Sequence, residues 1–177
     1  MKEDSESSDG NKDLFGLFGG HTMTDLEESY PVFSMDEAGH AVITFPNKVA
    51  ATVICKSREA SSTIREQILK LYSGPQLIGL DYEDYIQVLR PSSVFDSRVF
   101  TSANLIEDGA DWVEELTADT AGDLLIFGDG CPDMPEFSDF ANALEERLGN
   151  NRTILLGCNG VDPEEAGMIR ISVWCSV

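Results

Sequence analysis

Basic residues, histidines and long apolar runs are scarce in this sequence of 177 residues. Lysine and arginine number 12 against 32 aspartates and glutamates, which gives a formal net charge of −20 at pH 7. A surface this negative repels phosphate backbones and anionic membranes, so we expect neither nucleic acid nor a lipid surface as a ligand. The apolar runs, such as Leu124 to Phe127, fall far short of the roughly 20 residues that a membrane span needs.

The sequence also has few of the thiol and imidazole side chains that hold transition metals or carry redox chemistry, with four cysteines and two histidines. The cysteines at positions 55, 131, 158 and 175 form no CxxC pair and match no zinc spacing. The two histidines are not grouped with other metal ligands, so we expect no metal, no cofactor and no His-based catalytic triad. We predict that the cysteines are small buried thiols in a reducing compartment. The start of the sequence does not resemble a signal or transit peptide, and a cytoplasmic location is expected.

Residues 1–31 differ in composition from the rest of the chain. The first positions are rich in Ser, Asp, Glu and Gly, which is typical of a disordered acidic arm. Within this arm lies an apolar patch of Leu14, Phe15, Leu17 and Phe18, and the glycines beside it disfavour a helix. Such a patch inside an acidic arm is typical of a docking segment. The alternative is an arm that covers an edge of the chain's own domain.

Residues 32–177 alternate between strand and helix patterns, which predicts one folded domain. Predicted strands lie at 41–45, 49–55, 98–105, 123–127, 153–158 and 168–174, and predicted helices lie at 63–73, 82–89, 108–116 and 133–148. Residues 76–80 are predicted to form a short loop. The order favours an α/β domain of the α+β two-layer kind, a small mixed sheet with packed helices, preceded by a connecting helix at about 63–73.

Two helix starts carry recognisable capping signals. Thr63 with Glu66 forms a predicted capping box at the start of the connecting helix. Asp81 is the predicted N-cap of the next helix, with Asp84 in its first turn.

Four strings within residues 41–177 stand out. The string 153–173 joins an apolar strand ending in Gly to an acidic loop and an Ile-Arg-Ile-Ser-Val strand, and 123–134 joins an apolar strand to Gly-Asp-Gly-Cys-Pro-Asp-Met. The string 74–84 reads Gly-Pro-Gln-Leu-Ile-Gly-Leu-Asp-Tyr-Glu-Asp, and 42–47 reads Val-Ile-Thr-Phe-Pro-Asn. In chain order, the string 42–47 resembles the last strand of the GTPase half of the tubulin/FtsZ superfamily, and the other three resemble segments of its C-terminal half, with FtsZ the most similar member.

One signature of that family is missing from the sequence. The family's GTPase half carries a Gly-Gly-Gly-Thr-Gly-Thr-Gly loop whose backbone amides hold the phosphates, and no such run occurs here. The resemblance therefore implies a connecting helix and a C-terminal-like domain without a GTPase domain. We expect no GTP binding and no autonomous enzymatic activity.

The resemblance also implies a role for the acidic residues that follow the connecting helix. In the family, this loop reaches into the GTP site of the next subunit, where its carboxylates position the attacking water. Asp81 and Asp84 match the two acidic positions, and Gly79 stands where the family usually has Asn. Gly79, Asp81, Tyr82 and Asp84 are thus the expected partner interface. The alternative is that Asp81 and Asp84 only cap their helix.

Three functions are compatible with these observations. The first is a protein that does not bind GTP but binds FtsZ-like or tubulin-like filaments and caps or regulates their polymerisation, as in cell division. The second is a GTPase-activating module that supplies carboxylates to a partner's GTP site. The third is a self-associating structural or adaptor domain without an FtsZ partner.

Overall fold

A computed structural model of the chain describes residues 31–46, 49–73, 76–131, 133–160 and 167–177. These ranges belong to one structural unit, Pro31–Val177. The predicted acidic arm, with Leu14, Phe15, Leu17 and Phe18, lies outside the described residues. Within the described ranges, no helix combines the length and the apolarity that crossing a bilayer demands.

Eight strands within these ranges form a single mixed sheet, in the spatial order β1-β2-β3-β5-β8-β6-β7-β4. Strand β3 pairs with β5 in parallel, as does β6 with β7, whereas the other neighbours are antiparallel. The strands are β1 (Val32–Met35), β2 (Ala41–Thr44), β3 (Ala50–Cys55), β4 (Gln76–Ile78), β5 (Ser93–Thr101), β6 (Leu124–Asp129), β7 (Ile154–Asn159) and β8 (Met168–Cys175).

Four α-helices in the described residues pack on this sheet: α1 (Arg58–Ser73), α2 (Tyr82–Val88), α3 (Ala110–Thr117) and α4 (Met134–Leu148). A 3₁₀ turn at Ser102–Asn104 and a π-helical turn at Leu105–Gly109 lead into α3. The predicted fold class, a mixed α/β sheet with packed helices, is confirmed.

The central strand β6 is buried on both of its faces. Leu124 and Ile126 belong to a core shared with α3 and α4, and Leu125 and Phe127 belong to a core shared with α1 and α2. Full burial of each such side chain contributes about 1.5–3 kcal/mol, so both faces need helical cover. The helices therefore form a layer on each side of the sheet. Three layers replace the predicted two, and the sheet is larger than the small one predicted.

Helix α1 begins earlier than the predicted start at Thr63. The hydroxyl oxygen of Ser57 accepts a hydrogen bond from the Ala60 amide at 2.9 Å and donates to the Asp96 carboxylate at 2.8 Å. Ser57 is thus the capping side chain, and it is held in place by β5. The Thr63 hydroxyl instead donates to the Glu59 carbonyl at 3.0 Å inside the helix. The predicted capping box at Thr63 is therefore wrong.

Other bounds differ from the predictions for related reasons. Strand β5 begins at Ser93, because β3 pairs with it from Ser93 and β8 pairs with it from Val94. The predicted loop at 76–80 contains the edge strand β4, which pairs with the end of β7. Strand β1 was not predicted, and it lies at the opposite edge with mostly exposed side chains.

The outward side of α1 is polar. Ile64, Ile68 and Leu71 are buried against the sheet, whereas Arg65 and Glu66 are exposed. This arrangement is that of an amphipathic surface helix with one apolar stripe. Along its outward side, α1 therefore offers water a charged surface.

The cysteines correct a second prediction. Cys131 and Cys158 form a disulfide, and only Cys55 and Cys175 are free thiols. The parallel pairing of Gly128 with Cys158 brings β7 beside the loop that carries Cys131, and this contact between distant positions is invisible in cysteine spacing. Desolvation by burial raises the pKa of both remaining thiols, Cys55 and Cys175.

A count of free thiols tests the disulfide. When the chain is purified without reductant and unfolded in guanidinium with iodoacetamide, we expect alkylation of Cys55 and Cys175 alone, because the other pair is oxidised. Mass spectrometry reads the number of adducts. Prior treatment with dithiothreitol should expose all four cysteines, and the variant Cys55→Ser should give one adduct fewer. Four adducts without reductant would contradict the bond.

Candidate partner interface

The sequence-predicted interface residues lie between the edge strand β4 and helix α2. Gly79 and Asp81 are exposed, and Asp84 is half-buried in the first turn of α2. Tyr82 is the first residue of the helix, and its side chain lies outside the description. Tyr85 is 1% exposed and belongs to the core between the sheet and α1. The accessible surface is therefore formed by Gly79, Asp81 and the exposed edge of Asp84.

Asp81 and Asp84 are brought together by a reciprocal capping box. Oδ1 of Asp81 accepts hydrogen bonds from the amides of Glu83 at 2.8 Å and Asp84 at 3.1 Å. Oδ2 of Asp84 accepts in return from the Asp81 amide at 2.8 Å. Both carboxylates thus serve the otherwise unpaired amides at the start of the helix. Asp81 and Asp84 therefore do cap their helix, as the alternative to an interface role predicted.

Each of the two carboxylates keeps one oxygen outside this box. Among the described residues, no hydrogen bond reaches Oδ2 of Asp81 or Oδ1 of Asp84. Glu83, on the same turn, is also exposed. The turn can therefore offer carboxylate oxygens to N–H donors or to a cation on another molecule without opening its own cap.

Gly79 is not demanded by the backbone. A Cβ atom built at Gly79 meets no heavy atom within 4 Å, and the residue does not have the left-handed φ that favours glycine. The position therefore has room for a side chain, including the asparagine of the family pattern. The fold therefore does not require a glycine at position 79.

Leu80 anchors the loop through its side chain. It packs against the core between the sheet and α1, over Gly157 of β7. A Cβ atom at Gly157 would lie 2.4 Å from Cδ1 of Leu80 and 2.8 Å from Cδ2 of Phe127, distances that real side chains do not allow. Gly157 thus provides the space in which Leu80 sits, which is a common role of glycine within a strand.

Gln76 anchors the same loop through its side-chain amide. Nε2 donates to the Leu71 carbonyl at 2.7 Å, and Oε1 accepts from the Leu80 amide at 2.8 Å. The residue four positions after Leu71 is Pro75, which has no N–H to continue the helical ladder. The Gln76 side chain supplies that donor and joins the end of α1 to the loop.

The last turn of α1 is itself fixed to the sheet. Nζ of Lys70 lies 2.5 Å from the Asp129 carboxylate at the end of β6 and 3.2 Å from Glu66. Partial burial alone would lower the pKa of Lys70, but its bonds to Asp129 and Glu66 raise that pKa overall. Lys70 therefore stays charged at neutral pH, and its bond to Asp129 fixes the end of α1 at a defined place on the sheet.

Sequence reasoning found the acidic residues of this site but missed the residues that hold the loop. Gly157 carried a usable signal, because an isolated glycine within a strand marks a close approach. Gln76 carried a weaker one, since it directly follows a proline that interrupts the helical ladder. In the part of the chain that the structure describes, no group of three or more His, Cys, Asp or Glu side chains is arranged to hold a metal ion.

Comparisons with known proteins give a structural similarity and no sequence match. No protein-family model matches the chain, and no curated protein matches it. Among solved structures, the chain is similar to a tryptophan-to-tyrosine variant of FtsZ from M. jannaschii, with a TM-score of 0.48 and 17% sequence identity. The similarity covers 68% of this chain and 41% of that chain. The present chain therefore spans less than half of the length of that FtsZ chain.

Helix capping by Asp81 can be measured as stability. Asp81→Ala should lower the free energy of unfolding by about 1 kcal/mol, because two amides lose their acceptor. Asp81→Asn keeps an oxygen acceptor and should change stability by only a few tenths of that amount. Urea denaturation followed by circular dichroism gives both values.

Glu114→Ala on α3 is the control for this measurement. Glu114 is exposed, and exposed substitutions away from caps change stability by at most about 0.5 kcal/mol. Equal losses for Asp81→Ala and Glu114→Ala would contradict the capping box.

Proposed function

We propose that this chain binds an FtsZ-like or tubulin-like filament subunit through the surface formed by Gly79, Asp81, Tyr82 and Asp84, and that it caps or regulates polymerisation without binding GTP itself. The support from the sequence is the resemblance of four strings in the family's order. The string 74–84 covers β4 and the first turn of α2, the string 123–134 covers β6 to the start of α4, and the string 153–173 covers β7 and most of β8.

The observation that carries the proposal is the exposure of the acidic turn at a sheet edge. Gly79 and Asp81 are exposed, and the neighbouring strand β4 is the last in the sheet. A partner can therefore approach the turn without displacing another element of the described domain. The polar outward side of α1 adds support, because this helix already covers its own sheet and needs no second domain to bury an apolar stripe.

The expected effect on filaments follows from their symmetry. Head-to-tail filaments grow by heterologous contacts, in which each subunit offers two different faces. A chain that docks through its acidic turn but carries no phosphate-binding glycine loop in its sequence offers no nucleotide face to the next subunit. Its addition would end growth at that filament end, so small amounts should shorten filaments.

Sedimentation with an FtsZ-like protein of the same cell and GTP tests this function. We expect the chain to pellet with the polymer and to shorten filaments at substoichiometric amounts. Gly79→Trp should abolish co-sedimentation, because the position is open to solvent and tolerates a Cβ atom, so that a bulky side chain blocks docking rather than folding.

Ser34→Trp is the matched control, since Ser34 is exposed on β1 at the opposite edge of the sheet. It should pellet like the unmodified chain. Unchanged filament length together with no co-sedimentation at stoichiometric amounts would refute the proposal. A stable oligomer of the isolated chain in light scattering, without filament binding, would favour the self-associating alternative.

A second candidate function is activation of a partner's GTP hydrolysis, which the unused oxygens of Asp81 and Asp84 favour. A positioned carboxylate contributes roughly 10²–10⁴ in rate as a general base. The double variant Asp81→Asn/Asp84→Asn keeps oxygen acceptors for the cap while removing both charges. It should abolish stimulation of phosphate release from the filament and retain co-sedimentation.

Two further variants complete that measurement. Glu114→Gln/Glu115→Gln removes the same charge from exposed positions on α3, and it should stimulate like the unmodified chain. Gly79→Asn restores the amide of the family pattern and should increase stimulation. Equal stimulation by the Asp81→Asn/Asp84→Asn chain would exclude the carboxylates from the chemistry.

A further inference from the structure

Gln76 lies outside the set of residues expected to touch a partner, yet it makes two hydrogen bonds that meet at the interface loop. Its Nε2 is bound to the last buried turn of α1 at Leu71, and its Oε1 is bound to the backbone of Leu80, one residue before the N-cap Asp81. One planar amide therefore joins a rigid helix to the loop that carries the acidic turn.

We propose that Gln76 is a positioning residue, which holds the loop Gly79–Asp81 in the conformation that the partner binds. The inference rests on the proposed function, since it concerns the same surface. Gln76 does not touch the partner, because its side-chain amide is turned inward to the backbone of its own chain.

The need for such a residue follows from the composition of the loop. Gly79 has no side chain that could restrain its backbone. It is also exposed, and no neighbouring atom lies within 4 Å of the place where a Cβ atom would be. Glycine also has the largest conformational freedom of any residue. Between the end of β4 and the capping box of Asp81, the restraint comes from Leu80, whose amide is held by Gln76 and whose side chain is seated over Gly157.

The hydrogen bonds of Gln76 also explain why the restraint reaches α1. In the sequence, the residue four positions after Leu71 is Pro75, which has no N–H to donate, and the Leu71 carbonyl accepts from Gln76 instead. Lys70 fixes the same turn to Asp129 of β6 at 2.5 Å. Through Gln76 and the end of α1, the loop is therefore connected to the interior strand β6 as well as to the edge strand β4.

Two substitutions distinguish the hydrogen bond to the Leu71 carbonyl from the hydrogen bond that the Leu80 amide donates. Gln76→Glu keeps the oxygen that accepts from the Leu80 amide and loses the donor to Leu71. Gln76→Met keeps a side chain of similar length and loses both bonds. Gln87 is exposed on α2, so Gln87→Glu and Gln87→Met are controls with the same changes in charge and polarity.

The first readout needs no partner. Hydrogen exchange of the Leu80 amide, followed by NMR, should accelerate at least tenfold in Gln76→Met and by a smaller factor in Gln76→Glu, whose oxygen still accepts from Leu80 but no longer has a bond to Leu71. It should remain close to the unmodified rate in both Gln87 variants. Unfolding midpoints of the four variants serve to check that the domain is still folded in each of them. An unchanged Leu80 exchange rate in Gln76→Met would overturn the inference.

The second readout is affinity for the filament, measured by quantitative co-sedimentation. Fixing the backbone of one loop residue costs about as much free energy as a tenfold change in affinity, so we expect Gln76→Met to bind about tenfold more weakly. Gln76→Glu should recover part of that loss, because it keeps the acceptor for the Leu80 amide but not the bond to Leu71, and a merely structural defect would not predict this order. Equal affinities of the unmodified chain and Gln76→Met would also overturn the inference.

The two readouts keep the inference separable from the proposed function. Absence of binding by the unmodified chain would refute the proposed function, and Leu80 exchange would then decide alone whether Gln76 holds the loop. Binding by the unmodified chain that survives Gln76→Met would leave the proposed function standing and remove the role of Gln76.

Discussion

From Leu124 to Gly128, β6 is buried on both faces of the sheet, so each face requires a layer of helices. Helices α3 and α4 cover one face, and α1 and α2 cover the other. Between α1 and α2 the chain forms β4, the last strand of the sheet, which pairs with β7. Gly79 and Asp81 follow this edge strand directly and are exposed there.

Patterns that are local in sequence could be predicted well. The spacing of Phe137, Phe140 and Leu144 indicated α4, and all three side chains are buried. The apolar run of β6 indicated a strand, and the N-cap role of Asp81 followed from its residue type and its place before a helical pattern. In each case the deciding interactions join positions within one or two turns or one strand, so the sequence alone contains them.

Features that depend on distant partners could not be predicted. The start of α1 is decided by the bond from Ser57 to Asp96, and the disulfide depends on strands that meet only in the folded sheet. At the candidate site, Asp81 and Asp84 could be predicted from the sequence, but the role of Gln76 in holding the loop could not. Gln76 is an ordinary polar residue until the chain folds and its amide meets the backbone of Leu71 and Leu80.

Strand β1 and the acidic turn occupy opposite rims of an eight-stranded sheet. With neighbouring strands about 4.8 Å apart, the two rims are separated by roughly 33 Å along the sheet. A fluorescent dye attached at the exposed Ser34 would therefore leave the acidic turn accessible, and a second dye near that turn would report the separation of the two rims by energy transfer. The width of the sheet thus keeps a label on β1 well separated from the acidic turn after β4.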